Sequence, residues 1–155
     1  MKRILFIVTF MTASVAVFGQ VKFEEGYFIS TEGQRTACQI RNVDWRNNPK
    51  SFEYRLGADG ESKEVSIDQV VEFGVTNGST FKRFAVKIDR STSDLTRMTY
   101  NRNPEFVDET LFLRVLIEGK GSLYEYSEDK FLRYFYTVDQ SLIQQLVFKI
   151  GRAHV

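Results

Sequence analysis

The chain has 155 residues, 21 of them Lys or Arg and 20 Asp or Glu, with a single Cys and a single His. So even a charge balance excludes the basic footprint of a nucleic-acid binder and the polybasic block that grips an anionic membrane surface. One Cys excludes an internal disulfide and a thiolate zinc site, and fourteen Phe, seven Tyr and one Trp favour strands over helices.

Residues 1–19 read as a signal peptide. Lys2 and Arg3 are followed by an uncharged, mostly apolar run over residues 4–18, too short for a membrane-crossing helix. Val17 and Gly19 supply small residues at −3 and −1, which places cleavage between Gly19 and Gln20. No Cys follows the apolar run, so a lipid anchor is not expected. The opposite end, Ile150 to Val155, can be written ATC GGA AGA GCA CAC GTC, which resembles a sequencing-library adapter read in frame. Residues 150–155 are therefore expected to be non-native, and residues 20–149 to be one β-rich domain cut off at its C-terminal end. Without Lys2, Arg3 and Arg152, eighteen basic residues face the 20 acidic ones, a formal charge of −2.

Within that domain, residues 21–30 and 35–45 flank the turn TEGQ, whose Gly33 suits a hairpin. Cys38 and Ile40 share a face while Val43 and Trp45 have the opposite parity, which predicts a bulge or bend near Arg41 and Asn42. Cys38, between Ala37 and Gln39 in a strand-like run, reads as a packed, inert thiol. NNPK turns the chain at residues 47–50. SFEYRL then puts Phe52, Tyr54 and Leu56 on one face, GADG turns again, and Val65 and Ile67 mark a short strand. Asn77-Gly78 is a strong two-residue hairpin signal of type I′, and Phe84, Val86 and Ile88 share one side of the strand after it.

Residues 90–104 are polar and without period, a long connection. TLFLRVLIE sets Leu111, Leu113, Val115 and Ile117 against Phe112 and Leu116, as a central strand between two apolar environments would. With SLYEYS and FLRYFY it forms a three-strand meander. SLIQQLVF has helical spacing behind Asp139, a fitting N-cap, which predicts a short closing helix with a strand as the alternative. The expected fold is all-β, mainly antiparallel meander and hairpins, a sandwich or partly open barrel with a short C-terminal helix.

Constellations that could carry chemistry fail one by one. The only His, His154, lies in the adapter-like tail, which leaves no imidazole for nucleophile pairs, general bases or metal. The adjacent acids Glu24-Glu25, Asp108-Glu109 and Glu128-Asp129 point to opposite strand faces or sit on turn rims. No calcium loop is present. Gly119-Lys120-Gly121-Ser122 lacks the spacing and the following helix of a phosphate loop. No catalytic, metal or cofactor site is predicted. Tyr124, Tyr126, Tyr134 and Tyr136 crowd the last two strands and make two readings possible: core plus cross-strand ring pairs, or a face that docks onto another domain or a ligand.

WRNNPKSFEYRL, SIDQVVEFGV and FLRVLIEGKGSLYEYSEDKFLRYFY together resemble the N-terminal β-rich module of exported Bacteroidota proteins that continue into an outer-membrane β-barrel. The similarity covers residues 21–149, and its most specific pieces are W-x-x-N-P at residues 45–49 and E-G-x-x-S-L-Y at residues 118–124. The resemblance implies a periplasmic or outer-membrane location and a partner in the missing C-terminal region or another envelope protein; the charge balance and the missing phosphate loop argue for no nucleic acid and no nucleotide bound. It transfers no catalytic residue. A GTPase-like label carried by some members finds no support in a chain without a phosphate loop. The alternative expectation is a free-standing secreted or periplasmic protein that binds a small apolar or glycan ligand on its aromatic face.

Overall fold

The computed structural model describes residues 22–91, 103–139 and 141–147. The signal-peptide and cleavage positions Gly19 and Gln20, most of the polar connection over residues 90–104, and the tail with His154 lie outside the described residues. Ten strands form one antiparallel sheet: β1 (Lys22–Ser30), β2 (Arg35–Asn42), β3 (Ser51–Arg55), β4 (Lys63–Ser66), β5 (Val70–Val75), β6 (Thr80–Asp89), β7 (Phe106–Ile117), β8 (Gly121–Glu128), β9 (Phe131–Val138) and β10 (Gln144–Leu146). Their spatial order is β10-β9-β8-β7-β6-β5-β1-β2-β3-β4. Strand β1 therefore pairs with both β2 and β5, and everything after β5 runs as a meander. The all-β expectation holds, as a curled half-barrel.

Turn chemistry explains most of the punctuation. Gly33 and Gly57 adopt positive φ (82° and 78°) in the two loops where a side chain would be strained. The loop between β5 and β6 departs from the expected type I′ geometry. Asn77 alone turns left-handed, with φ 60°, while the Gly78 N–H donates to Val75 O and the Val75 N–H to Ser79 O. The loop is one residue longer, so Val75 meets Ser79 and Gly74 stands opposite Thr80, where type I′ would have set Val75 opposite Thr80.

At the end of β2 the predicted bend is made by a side-chain turn. The Asp44 N–H donates to Asn42 Oδ1 at 3.0 Å, and Asp44 takes φ 47°. That reversal leaves Val43 exposed and swings Trp45 back toward the face of Cys38 and Ile40, against its sequence parity. Leu56 likewise leaves its predicted face, because β3 ends at Arg55 and Leu56 is exposed in the turn.

Two cores lie on opposite faces of the sheet. Core 1 is aromatic: Phe73 stacks on Phe52 and Phe81 at centroid distances of 4.1 and 5.0 Å and meets Trp45 and Phe112 edge-on at 5.6 and 5.1 Å. Core 2 gathers Val86, Ile88, Leu111, Leu113, Tyr124, Tyr126 and Phe135. Because side chains alternate along a strand, β6 and β7 feed both. Phe81 and Phe112 point into core 1, while Val86, Ile88, Leu111 and Leu113 point into core 2. This is the central-strand character expected of TLFLRVLIE.

The predicted closing helix is not formed. Asp139 takes φ 46°, and a tight turn follows, with the Ser141 N–H donating to Val138 O. The chain then pairs with β9 as β10, Gln144 opposite Tyr136 and Leu146 opposite Tyr134. A helix would leave the outer main chain of β9 without partners; a strand satisfies it and still brings Ile143 onto core 2.

Cys38 is buried in core 1, and burial, with Glu25 nearby, pushes its thiol up to about 11. At pH 8 that leaves roughly one thiolate per thousand molecules. An aromatic disulfide reagent is therefore expected to leave Cys38 untouched in the folded chain and to titrate it fully in denaturant. Stoichiometric labelling of the native protein within minutes would contradict the packing.

Candidate functional site

The four tyrosines singled out by sequence do not share a face. Strand β8 pairs with β9 through Leu123↔Tyr136, Tyr124↔Phe135, Glu125↔Tyr134 and Tyr126↔Arg133. Tyr124 and Tyr126 therefore point into core 2 with Phe135, only 5% and 3% exposed. Tyr134 and Tyr136 point the other way, Tyr134 36% exposed and Tyr136 partly so. Of the two sequence readings, core describes the first pair; the second pair stands on an open face. The hairpin itself carried this information. A two-residue loop at Asp129 and Lys130 pairs even-numbered residues of β8 with odd-numbered residues of β9, so Tyr124 and Tyr134 are on opposite sides.

A β-bulge enlarges the open face. The register of β7 on β8 shifts between Val115, opposite Tyr124, and Ile117, opposite Leu123. The extra residue, Leu116, rotates Ile117 off the core 2 face that its numbering assigns and onto the outer one. One lateral row then reads Ile117, Leu123, Tyr136, Gln144 and the next Arg114, Glu125, Tyr134, Leu146. Ile117 is 59% exposed, and Val138 and Leu146 are each 50% exposed. Arg114 marks the border with core 1, where its guanidinium donates to Trp45 O and sits over the Phe81 ring.

The corresponding outward face of the other half is polar. Tyr27 Oη donates to Glu72 Oε1 at 2.6 Å, Lys82 is 3.4 Å from Glu72, Gln39 Nε2 donates to Glu25 at 3.0 Å, and Arg41 pairs with Glu53 at 2.5 Å. The same strand architecture thus wears a hydrogen-bonded coat at one end, while at the other Ile117, Tyr134, Val138 and Leu146 stand exposed around the Arg114–Glu125 pair at 3.6 Å and the Tyr136–Gln144 hydrogen bond. Exposed apolar side chains gathered on one face are characteristic of an interaction surface.

A second feature is a cleft of about 610 Å³ between the end of β6 and the approach to β10, lined among others by Ala85, Lys87, Phe106, Asp108, Leu142 and Ile143. Among the described residues no group of three or more His, Cys, Asp or Glu is placed to hold a metal ion. No known protein family, curated protein or solved structure matches the chain.

Proposed function

We propose that this chain is an exported, non-enzymatic β module of the cell envelope that works by docking through the outer face of β7–β10. Its partner on this reading is the remainder of an outer-membrane barrel protein or another envelope component. The observation that carries the reading is the contrast between the two outward faces: Ile117, Tyr134, Val138 and Leu146 stand bare where the β1–β5 half is laced with ion pairs. Buried interface centres are enriched in such rings and depleted of charge.

Sequencing unfragmented genomic DNA past the codon of Lys149 tests the envelope assignment. The expected frame runs on into segments of about ten residues with alternating apolar positions and aromatic ends. A stop directly after the Val155 codon would overturn it and leave a free-standing binder, with a small apolar or glycan ligand on Tyr134 and Tyr136.

The face itself is testable without a partner. The double substitution Tyr134→Glu with Val138→Lys is expected to abolish fluorescence of an apolar-surface dye. It should leave the stability within about 1 kcal/mol, because both side chains already reach solvent. Unchanged dye binding would place the sticky surface elsewhere.

A further inference from the structure

Among the described residues, strand β6 has a stretch of edge that no other strand pairs with. Its last residue paired with β5 is Lys82, opposite Glu72, yet β6 continues beside β7 as far as Asp89. The Arg90 N–H donates to Glu105 O at 2.9 Å, which sets the alternation of the ladder: even-numbered residues of β6 direct their N–H and C=O at β7, and odd-numbered ones direct theirs away. At Asp89 the outward groups are taken. Its N–H donates to Gln145 Oε1 at 2.7 Å, and its C=O accepts from Arg133 Nε at 2.9 Å. At Ala85 and Lys87, both exposed, the outward N–H and C=O meet no partner among the described residues. They open into the 610 Å³ cleft whose far wall is Leu142 and Ile143.

We propose that this seam binds an extended, uncharged peptide, added as a strand along β6. Donors and acceptors that alternate along an extended edge, repeating every second residue or about 6.7 Å, are matched by another extended main chain and by few other ligands. Exposed Leu142 and Phe106 give alternate side chains of such a strand an apolar rest. Charge selects further. Lys87 is already paired with Asp108 at 3.3 Å and Glu109 with Arg90 at 2.5 Å, so the cleft has balanced its own charges and offers none to a charged guest. β10 closes in on β6 at its Asp89 end, so the open stretch runs from Arg83 to Lys87 and accommodates a segment of about five residues, roughly 17 Å. A second copy fits poorly. Antiparallel pairing of β6 with β6 about Lys87 or about Ala85 would set Lys87 opposite a second Lys87 or opposite Arg83, the like-charge device by which edge strands resist self-association. The seam lies on a strand edge, not on the outer face, and its occupancy is independent of what covers Tyr134 and Tyr136.

The test uses isotope-labelled protein and a blocked heptapeptide of alternating Thr and Val. Saturable binding is expected, with the largest amide shifts at Ala85 and Lys87. An analogue N-methylated at every residue should lose at least tenfold in affinity, and one methylated at alternate residues should retain it through its intact edge. Ala85→Pro removes one seam-facing N–H and spares the β6–β7 ladder, so it should weaken binding about tenfold in a protein with an otherwise unchanged spectrum. Should that variant fail to fold, Leu142→Ser, at an exposed position, should weaken binding severalfold. Equal affinity for the fully methylated peptide, no response at Ala85 and Lys87 at millimolar peptide, or concentration-dependent shifts there without peptide would each overturn the proposal. The last result would seat a second copy in the seam.

Discussion

Asn48→Ala is expected to lower the melting temperature by about 10 °C, from a loss of about 3 kcal/mol. Above the pair Arg114↔Glu125, strands β7 and β8 fork apart, since their ladder runs only from there to Ile117↔Leu123. Asn48, carried by the W-x-x-N-P turn, fills the fork. Its Nδ2 donates to Phe112 O at 2.7 Å on β7 and to Glu125 O at 2.8 Å on β8, while its Oδ1 accepts from the Ser127 N–H at 2.9 Å. Its own N–H donates to Ser127 O at 2.8 Å. Alanine keeps only this last bond and leaves two carbonyls and an amide without partners in a partly buried place, where each costs more than a surface bond is worth. Asn48→Asp discriminates further. It preserves the acceptor for Ser127 but turns an anionic oxygen toward two carbonyls, so at neutral pH it should be at least as damaging as alanine. Thermal melts of the three proteins decide; a shift under 3 °C for Asn48→Ala would show that water replaces the amide and that the turn is not a clamp.

Arg90→Met is expected to cost about 2–3 kcal/mol, charge-assisted bonds being discounted for partial exposure. Arg90 Nε and Nη2 grip Glu109 at 2.6 and 2.5 Å, Nη1 donates to Glu128 at 2.7 Å, and the guanidinium lies 5.3 and 4.9 Å from the centres of the Tyr126 and Phe131 rings. It therefore ties β6, β7, β8 and β9 together at one end of core 2. Met fills the apolar part of that space and drops every bond. The network also has a pH signature. The hydrogen bond from Arg90, ahead of the opposing effect of burial, holds Glu128 below its ordinary value of 4.5. Since the folded value is the lower one, the unfolded chain binds the proton more readily in this range. The contribution of Glu128 is fully present above pH 4.5 and is lost as the pH falls through its lowered folded value. Denaturant midpoints measured from pH 7 down to pH 3 should therefore fall more steeply for the parent than for Arg90→Met. Parallel curves would show that Glu128 owes its acidity to something other than Arg90.

Both clusters show why parts of the fold could be read in advance and parts could not. The hairpin at Gly33, the strand at Phe52 and the β7–β9 meander are local matters: alternation, turn residues and reach decide them within a dozen positions. Asn48 and Arg90 look from the chain like an ordinary turn amide and a solvated charge. Their partners lie 64 to 79 and 19 to 38 positions away, so only the assembled sheet makes them structural. The clamp does supply a physical reason for W-x-x-N-P. Trp45 anchors the turn in core 1, and Asn48 bridges the fork.

The candidate surface divides in the same way. Sequence by itself determined an aromatic, antiparallel all-β domain and a crowd of tyrosines near its end. Only the tertiary structure decided which rings became core. A strand pattern with rings on both parities is symmetric with respect to the two faces, and the side that becomes interior depends on which way the sheet curls. That curl placed Tyr124 and Tyr126 inside, the bulge at Leu116 turned Ile117 outward, and the free main chain of β9 drew residues 144–146 into a strand in place of a helix. Each outcome was set by satisfying distant backbone groups and by burying one of two equally apolar faces, quantities that no local pattern contains.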